Sequence, residues 1–297
     1  MIKGAMFLLA IMFSAPALAS EKIVWLSEEH VDRDCVVPCA RTAVVFIHGI
    51  TGSQTTWGDP SGHYYWPKML SVEPDLYSAL DIYRVDYTSN YGSGPAAVRI
   101  KAALEKELDA IMIKKRYTKV IFIAHSLGGL ITKAYLTHVK NRFGHPALSR
   151  FRMVITLGTP NEGADLANIA WLGTQNEHMR VLRTIDVNDF VQLLGSIARD
   201  FREKHEDCPT LRTFAAYEKE AAYGLRIVVN QVSATKDAYA TEGFEKDHLE
   251  LSKPQSRSDR VYRWATDAVR GCVQNDGYYC PALQPGPGQC AGRDFPK

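Results

Sequence analysis

Short apolar runs alternate with stretches of helical periodicity along most of the chain. Ala43 to Ile47, Asp81 to Tyr87, Val120 to Ala124, Met153 to Leu157, Leu211 to Tyr217 and Leu225 to Val232 predict strands. Near-continuous apolar runs such as Val44-Val-Phe-Ile and Val120-Ile-Phe-Ile predict strands buried on both faces, where the in-out alternation is lost. Between them lie helical patterns. Pro95 opens one in which Ala97, Ile100, Leu104, Leu108 and Ile111 recur at helical spacing, closed by Lys114, Lys115 and Arg116. A second follows the tight turn after Ala124 and runs through Tyr135, and a last one spans about Asp259 to Val269. Strand and helix in alternation predict βαβ units and a mostly parallel sheet flanked by helices.

Four segments break this rhythm. A polar, cysteine-bearing stretch precedes Ala40. A loop between the first two predicted strands carries Trp57, Tyr64, Tyr65 and Trp66. From about 164 to 205 no strand pattern occurs, and Ile185, Phe190, Val191, Leu194, Ile197 and Phe201 suggest a helical cap inserted over one end of the sheet. The Gly-, Pro- and Cys-rich extension at 272–297 reads as irregular and disulfide-stapled. With no repeat and no long linker, residues 20–297 are expected to form one domain.

The first nineteen residues read as an export signal. Lys3 gives a positive start, Ala5 to Phe13 a short apolar core, and Ala17-Leu-Ala19 a small-x-small cleavage site. A periplasmic or secreted protein is expected, with the mature chain starting near Ser20. Export makes disulfides available to all six cysteines, Cys35, Cys39, Cys208, Cys272, Cys280 and Cys290. Their even number fits full pairing, with the connectivity open. Cys35 and Cys39 have no second pair at zinc-site spacing.

A net charge of +2 without a basic block removes the electrostatic footprint of a nucleic-acid binder. Gly92-Ser-Gly94 lacks the strand-to-helix context of a dinucleotide fingerprint. No metal or other cofactor is expected.

The chemistry concentrates where the strand Val120 to Ala124 meets a helix, in Ala124-His-Ser126-Leu-Gly128-Gly129. This is close to the G-x-S-x-G nucleophile elbow. The turn lifts the Ser126 hydroxyl clear of the sheet, and the helix N-terminus offers amide N–H groups. Strand and helix approach closely there, so positions two before and two after the serine must be small. Ala124 and Gly128 meet that demand. The Leu127 N–H can face a developing oxyanion. A second amide is expected from the loop after Val44 to Ile47, where Gly49 lets the backbone turn and Ile50 is the candidate donor. His48, beside that loop, is expected to make a structural hydrogen bond.

His48-Gly49 with Gly52 and Trp57, Ala124-His-Ser126-Leu-Gly-Gly129, and Leu157-Gly-Thr-Pro160 together resemble lipase-like α/β-hydrolases of the GPI-inositol-deacylase and related serine-active-site type. The resemblance covers about residues 43 to 254. That branch often has His where this chain has Asn161, and Gly where it has Ala124. The resemblance implies an α/β-hydrolase fold and ester hydrolysis, with a triad in the chain order Ser, acid, His. Counting strands from Ser126 puts the acid just after Tyr217, at Glu218, and the base after Val232. His248 is the remaining histidine there, in Lys246-Asp-His248 with Lys253-Pro254 behind it. Asp237 is the alternative acid, and Glu220 and Glu242 are weaker ones. The aromatic loop and the cap are expected to frame the mouth, and Asn161-Glu-Gly163 is expected to be structural.

These residues imply a serine carboxylic-ester hydrolase acting on a small-molecule or lipid ester, with transient contact with a lipid surface open and the oligomeric state unassigned. The alternatives are a non-catalytic binding protein on a hydrolase fold, or an acyltransferase, thioesterase or peptidase.

Overall fold

The alternating pattern builds one seven-stranded sheet: β1 (Val24–His30), β2 (Thr42–Ile47), β3 (Leu80–Tyr87), β4 (Lys119–His125), β5 (Phe151–Leu157), β6 (Arg212–Glu218) and β7 (Ala240–Phe244). The structure is a computed structural model and describes residues 24–31, 41–49, 52–87, 102–111, 117–161 and 211–280. The expected signal at 1–19, the cap at about 164–205, Ile50, the start of the Pro95 helix and the tail beyond Cys280 lie outside the described residues.

The sheet order is β1-β3-β2-β4-β5-β6-β7. Every pairing from β3 to β7 is parallel, and β1 joins β3 antiparallel at the edge. Among the described residues six helices accompany the strands: α1 (Trp66–Ser71), α2 (102–111), α3 (Leu127–Phe143), α4 (His145–Leu148), α5 (Gln231–Thr235) and α6 (Arg260–Val273). Among the described residues no helix is long and apolar enough to cross a membrane.

Successive side chains of a strand point to opposite faces, so each apolar run feeds two cores. Ala43, Val45 and Ile47 of β2 join Val120, Phe122 and Ala124 of β4 on one face, under Leu104 and Leu108 of α2 and Tyr135, Leu136 and Val139 of α3. Val44, Phe46, Ile121 and Ile123 face the other way, against α1 and Val261, Tyr262, Ala265 and Val269 of α6. Helices on both faces explain why these strands carry no polar alternation.

Three expectations need correction. Leu225 to Val232 is no strand. The chain turns tightly at Tyr223 and Gly224, both with positive φ, and Ala222 bridges to Arg226. Two of the amides a ladder would use, those of Val228 and Val229, go to the Glu218 carboxylate instead. Asn230 then caps the one-turn α5. The next strand is β7, an edge strand that reads Ala-Thr-Glu-Gly-Phe. The stretch before Ala40 does contain a strand, β1. Finally, Trp57, Tyr65 and Trp66 do not frame a mouth. They are buried on one face of the sheet, where Trp57 and Trp66 pack edge-on to Phe46 and Trp66 meets Tyr262. Of that group only Tyr64 is exposed.

Cys272, in the last turn of α6, forms a disulfide with Cys280. The other four cysteines lie outside the described residues.

Candidate active site

Ser126 sits between β4 and α3 with φ 55° and ψ −128°. A non-glycine residue at positive φ costs about 1–3 kcal/mol, and its surroundings must hold it there. Here they do so on three sides. The Ser126 N–H donates to the Leu157 carbonyl at 2.8 Å, and its carbonyl accepts from Gly129 N–H at 3.1 Å and Thr159 Oγ1 at 3.0 Å. Two glycines make room. A Cβ on Gly128 would collide with the Ile47 and His48 carbonyls, and one on Gly129 with the Thr159 side chain. The small residues of the elbow are therefore steric requirements of its crossing with β2 and the loop after β5.

The loop leaving β2 runs against Ser126. A Cβ on Gly49 would stand 2.8 Å from Ser126 Cβ and 3.3 Å from its Oγ. Leu127 is the first residue of α3, where N–H groups have no intrahelical acceptor.

The structure brings Ser126, His248 and Glu218 together. His248 Nε2 lies 3.0 Å from Ser126 Oγ, and His248 Nδ1 lies 3.0 Å from Glu218 Oε2. All three are buried, His248 to 1% exposure and Glu218 to 3%. Glu218 ends β6, and its other oxygen accepts from the Val228 and Val229 N–H groups at 2.8 and 2.7 Å. A carboxylate so held keeps its aim, because two amide donors fix one of its oxygens. Asp237 is exposed, in the turn between α5 and β7, with φ 61°. Glu242 lies on β7, paired with Arg260 at 2.9 Å, and Glu220 is exposed.

The loop carrying His248 is anchored separately. Asp247 Oδ1 accepts from the Leu249 and Glu250 N–H groups at 2.8 and 2.9 Å, and Lys246 pairs with Asp259 at 3.0 Å. His125, just before Ser126, is 2.8 Å from the His248 carbonyl through Nε2, so that nitrogen is the donor. Its burial, with the neighbouring His248 adding to it, drives its pKa well below the usual histidine value. A neutral His125 thus tethers the backbone of His248.

His48 makes the structural contacts expected of it. Its Nδ1–H donates to the Gly49 carbonyl at 2.7 Å, its ring stacks on Tyr87 at 4.1 Å, and the Tyr87 hydroxyl donates to the His48 carbonyl at 2.6 Å. Burial lowers its pKa to about 4.

One further residue of the site bears no chemistry that a sequence displays. Gly158, in the turn after β5, has φ 58°, and a Cβ there would come within 2.9 Å of His248 Nδ1 and 3.0 Å of Glu218 Oε2. Its glycine is therefore what lets acid and imidazole meet. The only signal for it was its place in Leu157-Gly-Thr-Pro160. Among the described residues no cluster of side chains could hold a metal ion.

A family model described as the alpha/beta hydrolase fold matches residues 42–267. Comparison with curated protein sequences gives no significant match. Similar solved structures include an esterase of Pyrococcus furiosus, at 12% identity over 85% of this chain and 84% of that one, with a TM-score of 0.49. A carboxylesterase structure from Nitrososphaera gargenis matches at 12% identity over 85% of this chain and 96% of that one, TM-score 0.48. A thioesterase of prodiginine biosynthesis in Streptomyces coelicolor matches at 13% identity over 78% and 90%, TM-score 0.45.

Proposed function

Because the chain belongs to the α/β-hydrolase family, we propose that it is a serine carboxylic-ester hydrolase of lipase or esterase type, exported from the cell and acting on acyl esters or lipids. One observation carries the reading: the hydrogen-bonded chain from Glu218 through His248 to Ser126. Glu218 holds Nδ1 protonated, which leaves Nε2 as the base facing the hydroxyl. His248 takes the Ser126 proton as Oγ attacks the ester carbonyl carbon, and the carbonyl electron pair moves to oxygen. The Leu127 N–H, with Ile50 as the second proposed donor, stabilises that oxyanion. Imidazolium then protonates the departing alkoxide. Water, deprotonated by His248, attacks the acyl carbon, the bond to Ser126 Oγ breaks, the carboxylic acid leaves, and imidazolium returns its proton to Oγ.

The Cys272–Cys280 disulfide fits an oxidising destination. The motif resemblance to the GPI-inositol-deacylase type supports ester hydrolysis and nothing narrower. The test is hydrolysis of p-nitrophenyl esters across chain lengths, followed by phospholipid and triglyceride assays. Turnover by the wild type that disappears in Ser126→Ala is expected. No turnover by a folded wild type on any ester would favour the binding-protein alternative.

A further inference from the structure

Asn161 follows Pro160 in the loop after β5, and both ends of its carboxamide are engaged. Oδ1 accepts from the Lys133 ammonium at 2.5 Å, and Nδ2 donates to the Ser233 and Ala234 carbonyls at 2.9 and 3.2 Å. Lys133 lies about two turns into α3, the helix that Ser126 opens, and both side chains are buried. The two carbonyls sit at the end of α5, a five-residue helix, where the Ser233 carbonyl also accepts a long bond of 3.4 Å from the Lys236 N–H. Just before α5 stand Val228 and Val229, whose amides hold Glu218. The hydrogen bonds therefore close a ring: Ser126 and its helix, Lys133, Asn161, α5, the two valine amides, Glu218, His248, and Ser126 again.

Residues 219–239 contribute no strand to the sheet, so no ladder fixes the valine amides in place. We infer that Asn161 is a positioning residue for the acid: it docks the end of α5 on the nucleophile's helix and so keeps the Val228 and Val229 N–H groups on Glu218. This rests on the proposed triad. The task needs a side chain that accepts from an ammonium and donates to two carbonyls at once. Aspartate keeps the first half and reverses the second, setting carboxylate oxygen against carbonyl oxygen. With α5 displaced, Glu218 loses its fixed aim and stabilises imidazolium less. Acylation then slows, and the acid limb of its pH profile moves to lower pH.

The experiment compares wild type, Asn161→Asp and the smaller Asn161→Ala. Active sites are counted by fluorophosphonate labelling, and single-turnover acylation by a p-nitrophenyl ester is followed from about pH 5 to about pH 9. Per active site, Asn161→Asp is expected to acylate about 10- to 100-fold more slowly, with the acid limb shifted down and KM little changed. Asn161→Ala should behave alike, because the donor is missing in both. Rates within about twofold of wild type with an unmoved acid limb would overturn the inference. So would failure of both variants to fold, which would make Asn161 a stability residue alone. A wild type that never labels at Ser126 overturns the triad reading first, and this inference with it. Normal wild-type labelling beside unaffected variants overturns the role of Asn161 only.

Discussion

The two halves of the site are built in different ways. The Ser126 half is local: β4, Ser126 and α3 are one unbroken stretch, and its steric needs fall on Gly128 and Gly129 within a few residues. The half made by Glu218 and His248, the proposed acid and base, is assembled from remote segments. Ser126 and His248 are 122 positions apart, and Glu218 and His248 are 30 apart. Glu218 comes from a strand end, its two N–H donors from an irregular connection, and His248 from a loop tied down by Asp247 and His125. A steric crossing between chain neighbours leaves a motif. A hydrogen-bonded network among distant segments leaves single residues with no pattern around them.

The acid–base half should therefore break at single atoms. Glu218→Gln is expected to slow single-turnover acylation about 10³- to 10⁴-fold, since an amide neither balances imidazolium nor secures the tautomer. Asp237→Asn, altering an exposed turn, should stay within about threefold. Circular dichroism checks the fold of each. The reverse ranking would move the acid to the 237 turn.

Gly158→Ala tests the same half from the backbone. The added methyl meets His248 and Glu218 and sits at a φ that disfavours it, so a loss of about 10²-fold in kcat/KM is expected. Near-normal turnover would mean that the two side chains need not meet as they do here.

His125→Phe keeps a buried ring and removes the tether to the His248 carbonyl. A fall of about 10-fold in kcat with little change in KM would separate this support from the triad itself. An unchanged kcat would show that Asp247 and the Lys246–Asp259 pair suffice to hold the loop.

The smallest effect on activity belongs to His48, whose contribution is to stability. Its pKa is about 4 in the fold against 6.5 when free, so between those values the unfolded chain binds the extra proton. Stability then rises with pH across that window, and acidification from about 6.5 towards 4 removes up to about 3 kcal/mol. Urea unfolding at several pH values should show a shallower acid loss in His48→Asn than in wild type. Equal slopes would put the acid sensitivity elsewhere, with His125 the next buried imidazole.

Legibility in the sequence follows the same division. The buried strands β2, β4 and β5 stand out as apolar runs, and the elbow stands out by its small residues. β1 was hidden because Val24-Trp-Leu-Ser-Glu-Glu-His30 is an edge strand, half polar. Ile227-Val-Val229 imitates a strand: its valines are fully buried, but their amides turn to Glu218. β7, with Glu242 and Gly243 at the other edge, shows no strand pattern at all. Strand counting still led to Glu218 and His248, because the missing β7 and the false strand occupy the same place in the order. The aromatic loop misled for a different reason. Tryptophans beside turn residues suggest a mouth, yet Trp57 and Trp66 supply the core between β2 and α6.

The proposed mechanism requires Ser126 to be the hydroxyl that His248 activates. The direct measurement is peptide mapping by mass spectrometry after treatment of the folded protein with a fluorophosphonate. A single adduct on Ser126, absent from Ser126→Ala and formed far more slowly in Glu218→Gln, is the predicted result. No adduct on the folded wild type, or an adduct on another residue that persists in Ser126→Ala, would contradict it.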